Sequence, residues 1–478
     1  MRLPSRLASA ALLLWCAAAL AAPRHDVLRV RRPAGTEFFG LYLLDKKVGW
    51  LSTSVTGLPS GDVATDNRLA FIANVGGRRS ERHHREQRTY DGRPNGKLKS
   101  FRFEQAGDGG EQTLEGTCLA DKLTVRRTRP GQAEETLTFP PCTERTEAAD
   151  PVRVALLRSA PVNVPSLDFM DLKHWEVRAT PEGTTTRNLG GVPTRLRTVT
   201  SLSEKEKVPV KHLVTDEGEI LEVNFGANFL ARAEPEQTAK RQDVAEVFDL
   251  TRVVLPAALP AASRKVPGEV RLVLSGLPAE FHEKTARQSY EKLADGRVAL
   301  TLRAPPPPQK PPRFPLADPD KGPNLEATLS VESSAPAIRE LAAKLTKGQP
   351  DAWAAARAVN RWVYENVEKN YGTSSDRATD VLRQRKGDCT EHSLLTVSLL
   401  RAAGIPARRV DGLVYLRQSD DVPAFYWHEW VEAWVGEWVQ MDPTFNEDVA
   451  LATHLALGLE GDARITPLLG TLKVHEVR

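Results

Sequence analysis

The sequence predicts an α+β protein in which mainly antiparallel β regions precede a C-terminal module of helices followed by strands. Three observations carry this. Alternating apolar and polar runs separated by acidic-Gly turns recur from Thr36 to about residue 240. After Ser333 the apolar spacing changes to that of helices, with Pro starts and Gly stops. Beyond Gly404 strand-like runs return, rich in Val, Trp and Tyr. At 478 residues, 41% hydrophobic and 27% charged, the chain is long enough for several cores and too apolar to be disordered throughout.

The first residues, "MRLPSRLASAALLLWCAAALAAP", read as a signal peptide over 1–21: Arg2 and Arg6 form a basic start, Leu7 to Ala19 an apolar centre, and Ala19-Leu20-Ala21 a small-x-small cleavage site. An uncleaved anchor is the alternative, but the run is shorter than the roughly 20 residues that span a bilayer. An exported, periplasmic or cell-envelope protein is expected, with no transmembrane span once the signal is removed. Its formal charge of +3 falls by two when Arg2 and Arg6 leave, so nucleic acid is not an expected partner. Basic stretches such as Arg78 to Arg88 read as solvated strand faces. Losing Cys16 leaves Cys118, Cys142 and Cys389. In an oxidising compartment Cys118 and Cys142, close in strand-like sequence, are expected to pair, leaving Cys389 free.

Residues 36–240 form the first β region. Its opening hairpin turns at Asp45-Lys46-Lys47, and Trp175 to Phe225 has turns at Glu182-Gly183, Gly190-Gly191 and Glu217-Gly218. "YDGRPNGKLKSF" (Tyr90 to Phe101) resembles "TDEGEILEVNF" (Thr215 to Phe225), which hints at duplication, although one large curved sheet explains the region as well. Residues 265–332 read as a small β module, with "PPPPQKPPRFP" (305–315) as a semi-rigid linker. In 335–478, helices are expected at Pro336 to Gly348, Asp351 to Tyr371, Ala378 to Arg385 and Cys389 to Ala403. Strands follow at Arg408 to Leu416, Tyr426 to Val435 and Trp438 to Asp442.

"GDCTEHS" carries the chemistry. Asp388 and Glu391 have capping-box spacing, which puts Cys389 at the first position of a buried helix. The unpaired N–H groups and positive dipole there favour a thiolate, so a lowered thiol pKa is expected. A thiol nucleophile needs a base and an orienting group. His428, on the strand "WHEWVEAWVGEW", and Asp442, in "MDPTF", can supply them. A two-residue turn at Gly436-Glu437 would put their side chains on opposite faces. A three-residue loop, Val435 to Glu437, pairs Trp434 with Trp438 and brings His428 and Asp442 to one face; a bulge would do the same. A zinc site from Cys389, His392 and His428 lacks a clean fourth ligand. His392 reads as hydrogen-bonded or solvated and His454 as a support of the fold. Of the tryptophans clustered at Trp427, Trp430, Trp434 and Trp438, most are expected to pack in the core and one or two to wall a cleft.

"GDCTEHSLLTVSLLRAAGIPARRVDGLVY", "WHEWVEAWVGEWVQMDPTF" and the trailing "ATHLALG" together resemble the transglutaminase-like branch of the papain-like cysteine enzymes. The resemblance implies a Cys-His-Asp triad at Cys389, His428 and Asp442, and acyl transfer through a thioester with a protein or peptide substrate. No cofactor or metal is implied. Glu429 departs from the small residue usual after the histidine, which bears on what the cleft accepts. The N-terminal region is similar to half-barrels that accompany such domains in bacterial envelope proteins. A non-catalytic envelope scaffold with a relic triad is the alternative from another class.

Overall fold

The first hairpin shows how local chemistry sets the sheet. Strands Glu37–Leu43 and Lys46–Gly57 turn through Leu44 and Asp45, whose φ values of 50° and 60° are left-handed. A two-residue turn of that hand matches the strands' twist, and it lies one residue earlier than the sequence suggests. The computed structural model describes residues 24–75, 77–108, 110–226, 228–243, 245–259, 268–317, 322–371, 375–418, 420–459 and 461–477. The signal segment 1–21 lies outside the described residues.

Eight strands from Glu37 to Phe139 form one meander and six from Val162 to Ala233 a second. The first strand pairs with the last, Phe39 opposite Ala233, so both join in one fourteen-stranded antiparallel sheet. The meanders advance in the same direction across the sheet, and the two similar hairpins are the fourth-to-fifth strand turns of each. Gly183 makes a bulge inside the long strand His174–Leu189 rather than a turn, whereas Gly190-Gly191 does turn the chain. The apolar side of the sheet closes over Phe39, Phe103, Leu114 and Val164, together with helix Pro151–Arg158. Cys118 and Cys142 are bridged across this region. The basic strand Arg78–Tyr90 lies inside the sheet, not at its edge; Arg85 pairs with Asp66, and Arg88 with Glu86 and the fully buried Glu144.

Segment 265–332 does not make a sheet alone. Strands Glu269–Ser275, Gln288–Lys292 and Val298–Arg303 are completed by a fourth, Lys473–Val477, which pairs with Glu269–Ser275. Their core also takes in Leu413, Phe425 and Leu455 from the C-terminal sheet. The Pro-rich stretch is not a free spacer either: Phe314 and Leu316 pack on the helical core, and Ala352 donates its N–H to Pro312 O at 2.9 Å.

The helices are α1 (Pro336–Thr346), α2 (Ala352–Asn366), α3 (Ala378–Gln384) and α4 (Cys389–Ala402). The strands are β1 (Ala407–Arg417), β2 (Pro423–Trp434), β3 (Trp438–Met441) and β4 (His454–Leu459). The sheet runs β4-β1-β2-β3, with the short strand Val253–Val254 also pairing with β2. The sequence patterns missed β4, whose six residues pair with β1 beyond a long loop. Helix α4 lies at the centre of the module and is buried along its length from Glu391 to Leu400, because apolar residues occupy most of its circumference. Among the described residues no helix is long and apolar enough to cross a membrane.

Candidate active site

Asp388 caps α4 as its spacing implies. Its Oδ1 accepts the Thr390 N–H at 2.9 Å, and its own N–H donates to Glu391 Oε2 at 2.7 Å. Cys389 is therefore the first helical residue, and its thiol is free. One turn on, the Ser393 hydroxyl donates to Glu429 O at 3.1 Å. That bond ties α4 to β2 one residue from His428, so the helix start and the imidazole face one cleft.

The hairpin between β2 and β3 takes the three-residue form: Trp434 pairs with Trp438, and Val431 with Met441. Asp442 follows directly, on the face of His428, and His428 Nε2 lies 2.8 Å from Asp442 Oδ2. Its other oxygen accepts the N–H groups of Thr444 (2.7 Å) and Phe445 (3.2 Å). Asp442 is fully buried. Burial opposes its charge, yet His428 first and His454 second hold it well below the usual carboxylate range. The ring of Phe445 stacks on His428 at 5.1 Å between centroids, and Trp430 lies at 5.9 Å.

The thiol departs from expectation. Burial, reinforced by the Asp388 carboxylate, pushes Cys389 well above its ordinary value, while the Glu429 N–H pulls the other way. The capping residue that creates the helix start also sets a negative charge beside the sulfur, which adds to the burial penalty and opposes the helix dipole. A thiolate at Cys389 thus depends on a nearby proton acceptor.

The cleft holds about 610 Å³ and lies between two parts of the chain. Cys389, His428, Asp411 and Glu429 line it on one side, Lys205 and Glu206 of the large sheet on the other. Glu429 is buried and pairs with Arg409 at 3.2 Å; burial pushes its pKa up to about 8, against the pull of Arg409. Asp411 and Glu206 are also raised by burial. Lys205 is held by Asp168 at 2.8 Å. Trp427 walls the cleft, while Trp430 is fully buried, so the tryptophan cluster divides as its position on β2 dictates.

The zinc trio does not assemble around His392, whose Nδ1 and Nε2 lie at the carbonyls of Asp388 (2.6 Å) and Val367 (3.1 Å). Among the described residues His428, Asp442 and His454 have ligand atoms within 4.8 Å of one another. Both imidazoles spend Nε2 on Asp442 Oδ2, so a metal there would displace those hydrogen bonds. Sequence reasoning missed His454, Asp411 and the Lys205–Glu206 wall. Only the position of His454 in the "ATHLALG" run could have hinted at its part.

A central helix presenting a cysteine to an antiparallel sheet that carries a histidine and an aspartate is a papain-like α+β arrangement. Residues 339–443 match the transglutaminase-like superfamily, and the C-terminal module is a transglutaminase-like domain. The chain is 30% identical over 119 residues to an uncharacterized protein of Mycobacterium leprae, an alignment covering 24% of this chain and 42% of that protein. It therefore spans less than half the length of this curated relative. Similar solved structures include a beta-barrel-like protein of a domain of unknown function from Brucella abortus, 12% identical (TM-score 0.29; 42% of this chain, 94% of that one). Another is the periplasmic domain of TgpA from Pseudomonas aeruginosa, 17% identical (TM-score 0.25; 42% of this chain, 83% of that one).

Proposed function

We propose that the chain is an exported cysteine enzyme that acts on carboxamide or peptide bonds by acyl transfer through a thioester on Cys389. The observation that supports it most is the 2.8 Å contact between His428 Nε2 and Asp442 Oδ2 in the cleft that holds Cys389. With Nε2–H donated to Asp442, Nδ1 of His428 is the nitrogen with a lone pair. It takes the thiol proton as sulfur bonds to the carbonyl carbon, and returns it to the amine as the C–N bond breaks. A second acceptor, water or an amine, then attacks the thioester. The raised thiol pKa means that the proton is still on sulfur at neutral pH, for His428 to take. The Cys118–Cys142 bridge supports an oxidising compartment.

The rival, a scaffold with a relic triad, draws on the same raised thiol. Intact-mass analysis after treatment with a thiol-directed, amide-mimicking probe separates them. One adduct on Cys389, lost in His428→Ala while the fold is kept, is expected. Labelling indifferent to His428 would favour the scaffold.

A further inference from the structure

His454 contributes nothing to the chemistry as described, yet it is nearly fully buried and its Nε2 lies 3.0 Å from Asp442 Oδ2, the oxygen that His428 also contacts. The arrangement has a cause in the sheet. On β1, Gly412 stands opposite His428 on one side and Ala456 on the other. Directly opposed residues of an antiparallel sheet share a face, as do residues two apart, so His428, Gly412, Ala456 and His454 all belong to one face. Gly412 leaves room on that face for the Trp430 ring, which meets both imidazoles: a methyl there would lie 2.7 Å from that ring and 2.1 Å from Leu455 O. Both rings reach a single carboxylate, their centroids 5.8 Å apart.

We infer that His454 is a positioning residue that locks the Asp442 carboxylate in the orientation His428 needs. This rests on the proposed roles of Cys389, His428 and Asp442. Asp442 accepts two backbone N–H groups at Oδ1 and two imidazoles at Oδ2, which fills the four places a carboxylate offers. With all four taken it cannot rotate without losing a bond. The hydroxyl of Thr453 lies 3.2 Å from His454 Nδ1 and can donate there, which leaves the Nε2 hydrogen for Asp442. Trp430 meets the ring edge-on at 5.0 Å, and Glu447 is the other carboxylate close by, 3.8 Å from Nδ1. Without the His454 N–H one lone pair of Oδ2 is left unfilled in the core. The carboxylate can then tilt toward other donors and away from His428.

The test follows alkylation of Cys389 by iodoacetamide on the full chain, read by intact mass at pH 7 and pH 10.5. His454→Gln keeps an N–H of similar reach, and His454→Asn withdraws it. At pH 7, where the thiol depends on His428, the Asn variant should react roughly tenfold more slowly and the Gln variant close to wild type. At pH 10.5 hydroxide takes the proton and all three should react alike. Equal rates for Asn and wild type at pH 7 would overturn the inference. So would a loss of equal size at both pH values, or failure of both variants to fold, since either assigns His454 to structure alone. A parallel His428→Ala variant separates the two readings: if it reacts like wild type at pH 7, the proposed function fails first.

Discussion

Glu429 is ionisable, buried and adjacent in sequence to His428, the proposed general base. Burial raises its pKa to about 8, so between about pH 4.5 and 8 the folded chain holds a proton there that the unfolded chain has released. Stability should therefore fall as pH rises through that window, by an amount on the order of a few kcal/mol. Melting temperatures at pH 5 and pH 8.5 check this, and Glu429→Gln should flatten the difference. Asp442 has the opposite sign: its depressed pKa contributes stability above the ordinary carboxylate range, lost only in strong acid. For Cys389 the raised pKa predicts that His428→Ala shifts alkylation to well above pH 8.5, because the desolvation penalty then has no proton acceptor to offset it. Wild-type chain should still react at pH 7. A His428→Ala profile superimposable on wild type would contradict this.

At the scale of elements, the capping box and the three-residue hairpin do most to make the site. Asp388→Asn keeps a capping oxygen but removes the charge beside the sulfur. It should cost under about 1 kcal/mol and speed alkylation of Cys389 at pH 8, whereas Asp388→Ala should cost about 1 kcal/mol with the same gain in reactivity. Thermal melts and alkylation rates on the two variants decide it. The capping box was legible in the sequence because its signal is local, Asp388 and Glu391 being three residues apart, whereas the face Asp442 takes depends on loop length or a bulge. The sequence left that loop open, and the pairing of Trp434 with Trp438 closes the question. The raised thiol was less legible, since dipole and capping carboxylate act on Cys389 in opposite senses and the burial that raises it most exists only in the folded chain. His454 was read as a fold support, because a lone histidine in an apolar run carries no sign of the carboxylate it will meet.

Across the whole molecule the long-range contacts are those that local patterns could not give. Lys205 and Glu206 reach the cleft from a turn of the large sheet, and nothing near them in sequence announces a site. The Cys118–Cys142 bridge was inferred from cysteine parity and compartment, and it closes a loop of 24 positions. Replacing both cysteines by serine should cost roughly 2–4 kcal/mol of stability, seen as a lower melting temperature, while leaving the pH 7 alkylation rate of Cys389 unchanged. A change in that rate would mean that the large sheet governs the chemistry as well as forming a wall of the cleft.

The strand Lys473–Val477 adds a dimension of time. It completes a sheet begun about two hundred positions earlier, at Glu269–Ser275, and that sheet shares its apolar interior with Leu413, Phe425 and Leu455 beside the cleft. Closing so wide a span is slow, because chain entropy is lost before any contact compensates. A chain emerging from a ribosome cannot finish this layer until residue 477 is out. The face of the C-terminal sheet that packs on this layer, with Leu413 and Phe425, lacks that cover until then. Trimming the chain before Lys473 should keep the large sheet's disulfide in place but leave strand Glu269–Ser275 with an unpaired edge. A thiol that labels without dependence on His428 is the expected signature of such an unfinished molecule.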